Sequence, residues 1–236
     1  MVAMTDDEQK EQLKSFAKRY GSPIVTGVLL ALSVAFGWQW WDKNKTVTAA
    51  NATVQYQNVL NQAQKAAEDE AAFKALKADA DKIVAEFPDT VQALQAQLLV
   101  AQLAFDRQDF KTAAETLTQA SSSKIKDEGL IAIAKLRLAY TQVELKQLDA
   151  ALKTLDEIKI VEFTPSVQEA RGDIYVQKQD VESAKKAYQQ AWDALVKREQ
   201  PRELLQIKLA NLGVVVEEPV IPTAIETPAM PVPSES

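Results

Sequence analysis

The chain has 236 residues, with 33 acidic against 27 basic side chains and neither histidine nor cysteine. Those absences exclude an imidazole base, a thiolate nucleophile, zinc sites of the usual ligand types and a Ser-His-Asp triad. From Thr46 onward, 21 basic and 28 acidic residues leave seven net negative charges, which argues against binding nucleic-acid phosphates.

In chain order, a charged segment over 1–21 precedes an uncharged run, SPIVTGVLLALSVAFGWQWW, from Ser22 to Trp41. A helix rises about 1.5 Å per residue, so roughly 20 apolar residues cross a hydrocarbon core about 30 Å thick. The length therefore predicts a transmembrane helix over 22–41. A cleaved secretory signal is the competing reading, but its apolar run is usually about 7 to 15 residues long. Here the run ends in Trp38, Trp40 and Trp41, and the nearest A-x-A pattern, Ala50 to Ala52, lies well beyond it. Indole rings favour the membrane interface, so the tryptophans mark one headgroup layer and Phe16 and Tyr20 the other. Lys10, Lys14, Lys18 and Arg19 precede the run, whereas only Lys43 and Lys45 follow it before Lys65. The positive-inside rule then keeps 1–21 in the cytoplasm and places the rest outside, which in a bacterium is the periplasm. Lack of cysteine suits such an oxidising compartment. Within the run, Gly27, Ala31 and Ala35 recur every four residues and form one small helical face, a candidate for packing against another membrane helix.

Beyond the run the chain reads as helix after helix. Thr46 to about Ala67 continues the membrane helix outward, and a second helix over about 71–87 ends before Pro88. The β-branched run Val214 to Val216 is the main strand signal. Glu68, Asp69 and Glu70 lack the spacing of a calcium loop and read as solvated surface. Gly129, Gly172 and Gly213 are too far apart for a phosphate loop, so neither cofactor nor metal site is expected.

Internal repetition decides the architecture. Ala151 and Ala184 lie 33 positions apart, as do Ala139 and Gly172. An earlier unit places Ala101, Phe110, Ala113, Leu117 and Ala120 in corresponding roles, with the spacing from Ala113 to Ala151 lengthened to 38 by the loop around Ser121 to Ser123. Gly172, Tyr175, Ala184, Tyr188 and Ala191 resemble the tetratricopeptide pattern of small, aromatic, small, aromatic and small positions; Arg171, where that pattern prefers Leu, departs from it. The fold class expected is all-α: one transmembrane helix followed by a tetratricopeptide-like helical-hairpin solenoid over 42–212. The segment 213–236 carries Pro219, Pro222, Pro228, Pro231 and Pro233 and no basic residue, and it is expected to be a disordered tail.

The helix from Leu130 to Leu145 is unusually apolar. On the tetratricopeptide template, Ile133, Leu136, Tyr140 and Val143 form a stripe facing the concave side, with Phe105 and Val176 at similar places in the flanking units. Two readings stay open, a partner-binding groove and a stripe covered by another helix of the same chain.

The order of parts carries a wider resemblance. Phe16-Ala17-Lys18-Arg19-Tyr20-Gly21, the span ending Gly37-Trp38-Gln39-Trp40-Trp41, a helix from near Ala49 with Tyr56-Gln57, and Leu204 to Leu212 together resemble the ancillary SecYEG translocon subunit family, YfgM, over roughly residues 10 to 212. That resemblance implies a non-enzymatic bacterial inner-membrane protein whose periplasmic repeat domain associates with the SecYEG translocon and the periplasmic chaperone PpiD; exported polypeptides are a further candidate partner. Two functions follow as expectations. One is an anchored scaffold or chaperone-like accessory of export; the other is an inner-membrane regulator that sequesters a signalling partner through its cytoplasmic segment. Self-association is left open.

Overall fold

The computed structural model describes residues 6–216, and within 6–46 it describes the side chains of Lys14, Lys18, Gly27 and residues 31–39 only. The first helix, α1, runs unbroken over Asp6–Glu68. Its distal part packs on α2 (Glu70–Glu86), and three further hairpins and a last helix follow among the described residues: α3 (Val91–Asp106), α4 (Phe110–Ser121), α5 (Glu128–Glu144), α6 (Leu148–Asp156), α7 (Thr164–Gln177), α8 (Val181–Val196) and α9 (Glu203–Asn211). A single 3₁₀ turn, Val161–Phe163, leads into α7. Among the described residues there is no strand; Val214 and Val216 instead pack against the cluster formed by α8 and α9.

Helix starts are encoded locally. Asp69, Thr90, Asp109, Asp127 and Asp180 each accept a hydrogen bond from the backbone N–H three residues on, at 2.9 to 3.2 Å. Such caps satisfy donors that no helical turn can reach. The acidic trio is thereby resolved: Asp69 caps α2, while Glu70 pairs with Arg107 and Lys74. Arg107 also donates to the carbonyls of Ala66 and Ala67 at 3.3 Å, joining the end of α1 to the end of α3.

The turns within hairpins repeat one geometry. Gln108, Lys146 and Gln179 have positive φ of 63°, 61° and 60°. In each case the next N–H reaches back five residues, Asp109 to Ala104, Gln147 to Gln142 and Asp180 to Tyr175, at 2.8 to 2.9 Å. This is the Schellman closure, which ends one helix and aims the chain into the next. The three turns are offset by 38 and 33 residues, as Ala113, Ala151 and Ala184 are.

Those three alanines are fully buried. Opposite them, Ala101, Ala139 and Gly172 face Leu117, Leu155 and Tyr188 across each hairpin. A Cβ added at Gly172 would meet the Tyr188 ring at 2.2 Å, so that close approach requires glycine. Four apolar clusters then succeed one another along the chain, each shared by neighbouring helices. Stacking of this kind buries a core that no single hairpin encloses. Arg171, which departs from the repeat pattern, pairs with Asp156 across the junction of α6 and α7, leaving its buried Nε without a hydrogen bond.

Among the described residues no helix is long and apolar enough to cross a membrane. Of the expected 22–41 span, the side chains of Gly27 and residues 31–39 are described, and the others lie outside. Every described residue of that stretch is exposed, including Val34, Phe36 and Trp38 at 70%, 65% and 79%. Residues 217–236, which hold all five prolines of the expected tail, lie outside the described residues.

Candidate functional site

The first helix of each later hairpin, α3, α5 and α7, contributes one wall of a concave groove of about 610 Å³. Its apolar surface comes from Ala101, Phe105, Leu117, Val143, Ala170 and Ile174, with Tyr140 between them. Phe105 is fixed edge-on against Phe110, with ring centroids 5.1 Å apart. Polar groups Gln102, Asp106, Arg137, Glu144, Asp173 and Gln177 complete the lining. Arg137 donates to the Leu98 carbonyl at 3.5 Å, which bridges α5 to α3.

Sequence-predicted residues separate into three groups. Phe105, Tyr140 and Val143 meet in the groove. Ile133 and Leu136 do not line it: Ile133 packs toward α3 and α4, and Leu136 toward α6 and α7. The stripe on α5 is divided because a middle helix in a stack must fill the junctions on both sides. Val176 is 44% exposed on α7 but outside the groove wall. Gly27, Ala31 and Ala35 are exposed on α1, and nothing lies within 4 Å of a Cβ built at Gly27.

The polar liners are absent from the expected site, although the repeat offsets locate them. Adding 38 and then 33 to Gln102 gives Tyr140 and Asp173; the same steps from Asp106 give Glu144 and Gln177. All six line the groove.

At the carboxy-terminal end the groove is braced by a charged cluster. The Tyr188 hydroxyl donates to Asp173 at 2.7 Å, and the Lys208 ammonium donates to Asp173 at 2.7 and 2.9 Å and to Glu169 at 2.9 Å. Arg202 donates to the other oxygen of Glu169 at 2.9 Å. Two cations thus satisfy the buried Glu169 carboxylate and hold α9 on α7, whereas an unpaired buried charge would be strongly destabilising. Burial, and then the Asp173 hydrogen bond, raises the Tyr188 pKa. For Lys208, burial works against the charged form, yet its bonds to Asp173 and Glu169 outweigh it and raise its pKa. Tyr140 is 39% exposed at its surface, and burial of the remainder followed by the charges of Asp173 and Glu169 raises its pKa as well.

Among the described residues no group of three or more acidic side chains is placed to hold a metal ion. The groove presents apolar surface, two aromatic rings and a few polar groups.

With that geometry in view, comparison with known proteins is decisive. A family model described as a tetratricopeptide repeat-like domain matches residues 14–214. A protein of Escherichia coli K12 named ancillary SecYEG translocon subunit is 34% identical over 212 residues, covering 89% of this chain and 97% of its own. The chain belongs to that family. Its namesake from Haemophilus influenzae is 33% identical over 210 residues, 89% of this chain and 98% of its own, and one from Neisseria gonorrhoeae is 29% identical over 213 residues, 90% of this chain and 100% of its own. No solved structure matches. The family model ends at residue 214, two residues before Val216, the last described residue.

Proposed function

We propose that this protein is a membrane-anchored accessory subunit of the Sec translocon, whose periplasmic repeat domain assists exported proteins by protein–protein contacts. The carrying observation is one continuous helix that joins an apolar, uncovered stretch to the base of the repeat domain. On α1, residues 31–39 are exposed on all sides, whereas Ala52 is fully buried and Val59 and Ala66 are fully buried in the cluster shared with α2 and α3. Exposed Leu32, Val34, Phe36 and Trp38 on one helix favour an apolar medium. Between Trp41 and Ala52 the helix rises only about 16 Å, so the domain stands close to the membrane surface.

The basic flank of the run supports an amino terminus in the cytoplasm and a domain in the periplasm. The names of full-length relatives support the translocon as partner, and the resemblance read from the sequence adds the chaperone PpiD. Ala31 and its small neighbours form the face that packs on a partner's membrane helix, and the groove around Tyr140 receives a protein segment. No chemistry is required of either surface, and the protein acts without catalysis.

In-cell photo-crosslinking tests this reading. Probes at Ala31 and Tyr140 are expected to capture, respectively, a membrane subunit and a periplasmic or emerging polypeptide of the export machinery. Ala31→Leu should reduce co-purification of the translocon. Adducts no stronger than those from exposed Glu115 on α4 would count against the proposal.

A further inference from the structure

Resting on the groove reading above, we infer that the groove selects extended segments in which Lys or Arg punctuate aliphatic residues. Two exposed carboxylates, Asp106 on α3 and Glu144 on α5, sit at equivalent repeat positions on its lining. Neither forms an ion pair among the described residues, whereas Asp173 is held by Lys208. Arg137 is the single basic side chain on the lining, and its guanidinium is turned to the Leu98 carbonyl. A neutral carbonyl leaves the guanidinium charge in place, but Asp106 and Glu144 outnumber it, so the net potential of the groove is negative, and a concave, low-dielectric wall concentrates it. Phe105 and Tyr140 add ring faces on which a cation or an aliphatic side chain packs.

Spacing sharpens the ligand. The hydrogen bond from Arg137 shows that α3 and α5 are neighbours, and packed helices lie about 8–10 Å apart. In polyproline II geometry, residues i and i+3 share a face and are separated by about 9 Å. Basic residues three apart would then face Asp106 and Glu144 together, with apolar residues between them on the rings.

The full-length protein in detergent provides the test, with fluorescent twelve-residue peptides of Ala, Val, Leu and Pro carrying Lys, Gln or Glu at i and i+3. The Lys peptide is expected to bind about ten-fold tighter than the Glu peptide, and the advantage should shrink as salt screens exposed charges. Asp106→Asn with Glu144→Gln should equalise the three, with circular dichroism unchanged. Equal affinity of all three peptides for the unmodified protein, abolished by Tyr140→Asp, would overturn the charge selection while leaving the groove reading intact. Binding of the Lys peptide that neither Tyr140→Asp nor the paired neutral variant alters would overturn both. Tighter binding of a peptide of residues 217–236, or loss of Lys-peptide binding as protein concentration rises, would make the tail or a second copy the occupant and overturn the inference.

Discussion

The hairpins α5/α6 and α7/α8 make the same contact with different residue pairs. In the first, Ala139 faces Leu155; in the second, Gly172 faces Tyr188, whose ring occupies the space a Cβ would need. What is maintained is the combined volume across the contact rather than either residue. The Tyr188 hydroxyl then adds a function that leucine lacks, since it joins the Asp173–Lys208 cluster that seats α9. Their turns differ too. Asp180 caps α8 through its side chain, whereas Gln147 makes no such bond at the start of α6. Both hairpins are tied to their neighbours by polar bonds, α5/α6 through Arg137, Asp149 and Asp156 and α7/α8 through the cluster that seats α9, so what separates them is the Tyr188 hydroxyl and the Asp180 cap.

Gly172→Ala should break the comparison most strongly. With no room beside the Tyr188 ring, it is expected to cost about 1–3 kcal/mol in urea unfolding. Adding Tyr188→Leu recreates the Ala–Leu pair of the other hairpins and should recover part of that loss, less the hydroxyl's hydrogen bond. Strict additivity of the two substitutions would show that the residues are not coupled.

Exchanging the caps gives a smaller effect. Asp180→Ala should cost about 1 kcal/mol, and Gln147→Asp should gain a similar amount by supplying the bond that α6 lacks. A melting temperature unchanged by Gln147→Asp would show that the start of α6 is already satisfied.

Much of the fold was legible because it is periodic. Ala113, Ala151 and Ala184 mark the register, Pro88 marks the break after α2, and Phe105, Tyr140 and Val143 identify the groove. Other features depend on contacts distant in sequence. Ile133 and Leu136 look equivalent to Tyr140 on a helical wheel, yet a middle helix serves two junctions and they fill the junctions instead. Lys208 reads as a surface residue until α9 folds against Glu169 and Asp173. Arg171 reads as a defect in the repeat pattern until Asp156 is placed beside it. Gln102, Asp106, Glu144, Asp173 and Gln177 could have been found by carrying the 38- and 33-residue offsets through every position of the groove, not only the apolar ones.

The smallest expected effect is in pH dependence, and it again separates the hairpins. Hydrogen bonds from the Ser183 hydroxyl and N–H lower the Asp180 pKa. A depressed carboxylate contributes stability above its unfolded value near pH 4 and loses it as pH falls through the folded value. Tyr188 and Lys208 are raised, so their contribution is full below about pH 10 and declines as pH climbs past it. Asp149 on α6 is likewise lowered by its bond to Lys178, so acid should quicken amide exchange in both hairpins, whereas at the alkaline extreme α8 and α9 should quicken before α6. Tyr188→Phe should soften the alkaline decline alone, and an unchanged alkaline profile would contradict the assignment.

The central claim is that the groove is a partner surface set on a structural spine, and Tyr140→Asp in the full-length protein tests it most directly. The account predicts a melting temperature within about 2–4 °C of the unmodified protein, the shift that 1 kcal/mol produces in a chain of this size, together with loss of co-purifying translocon or chaperone. A large fall in melting temperature, or undiminished partner recovery from a folded variant, would contradict it.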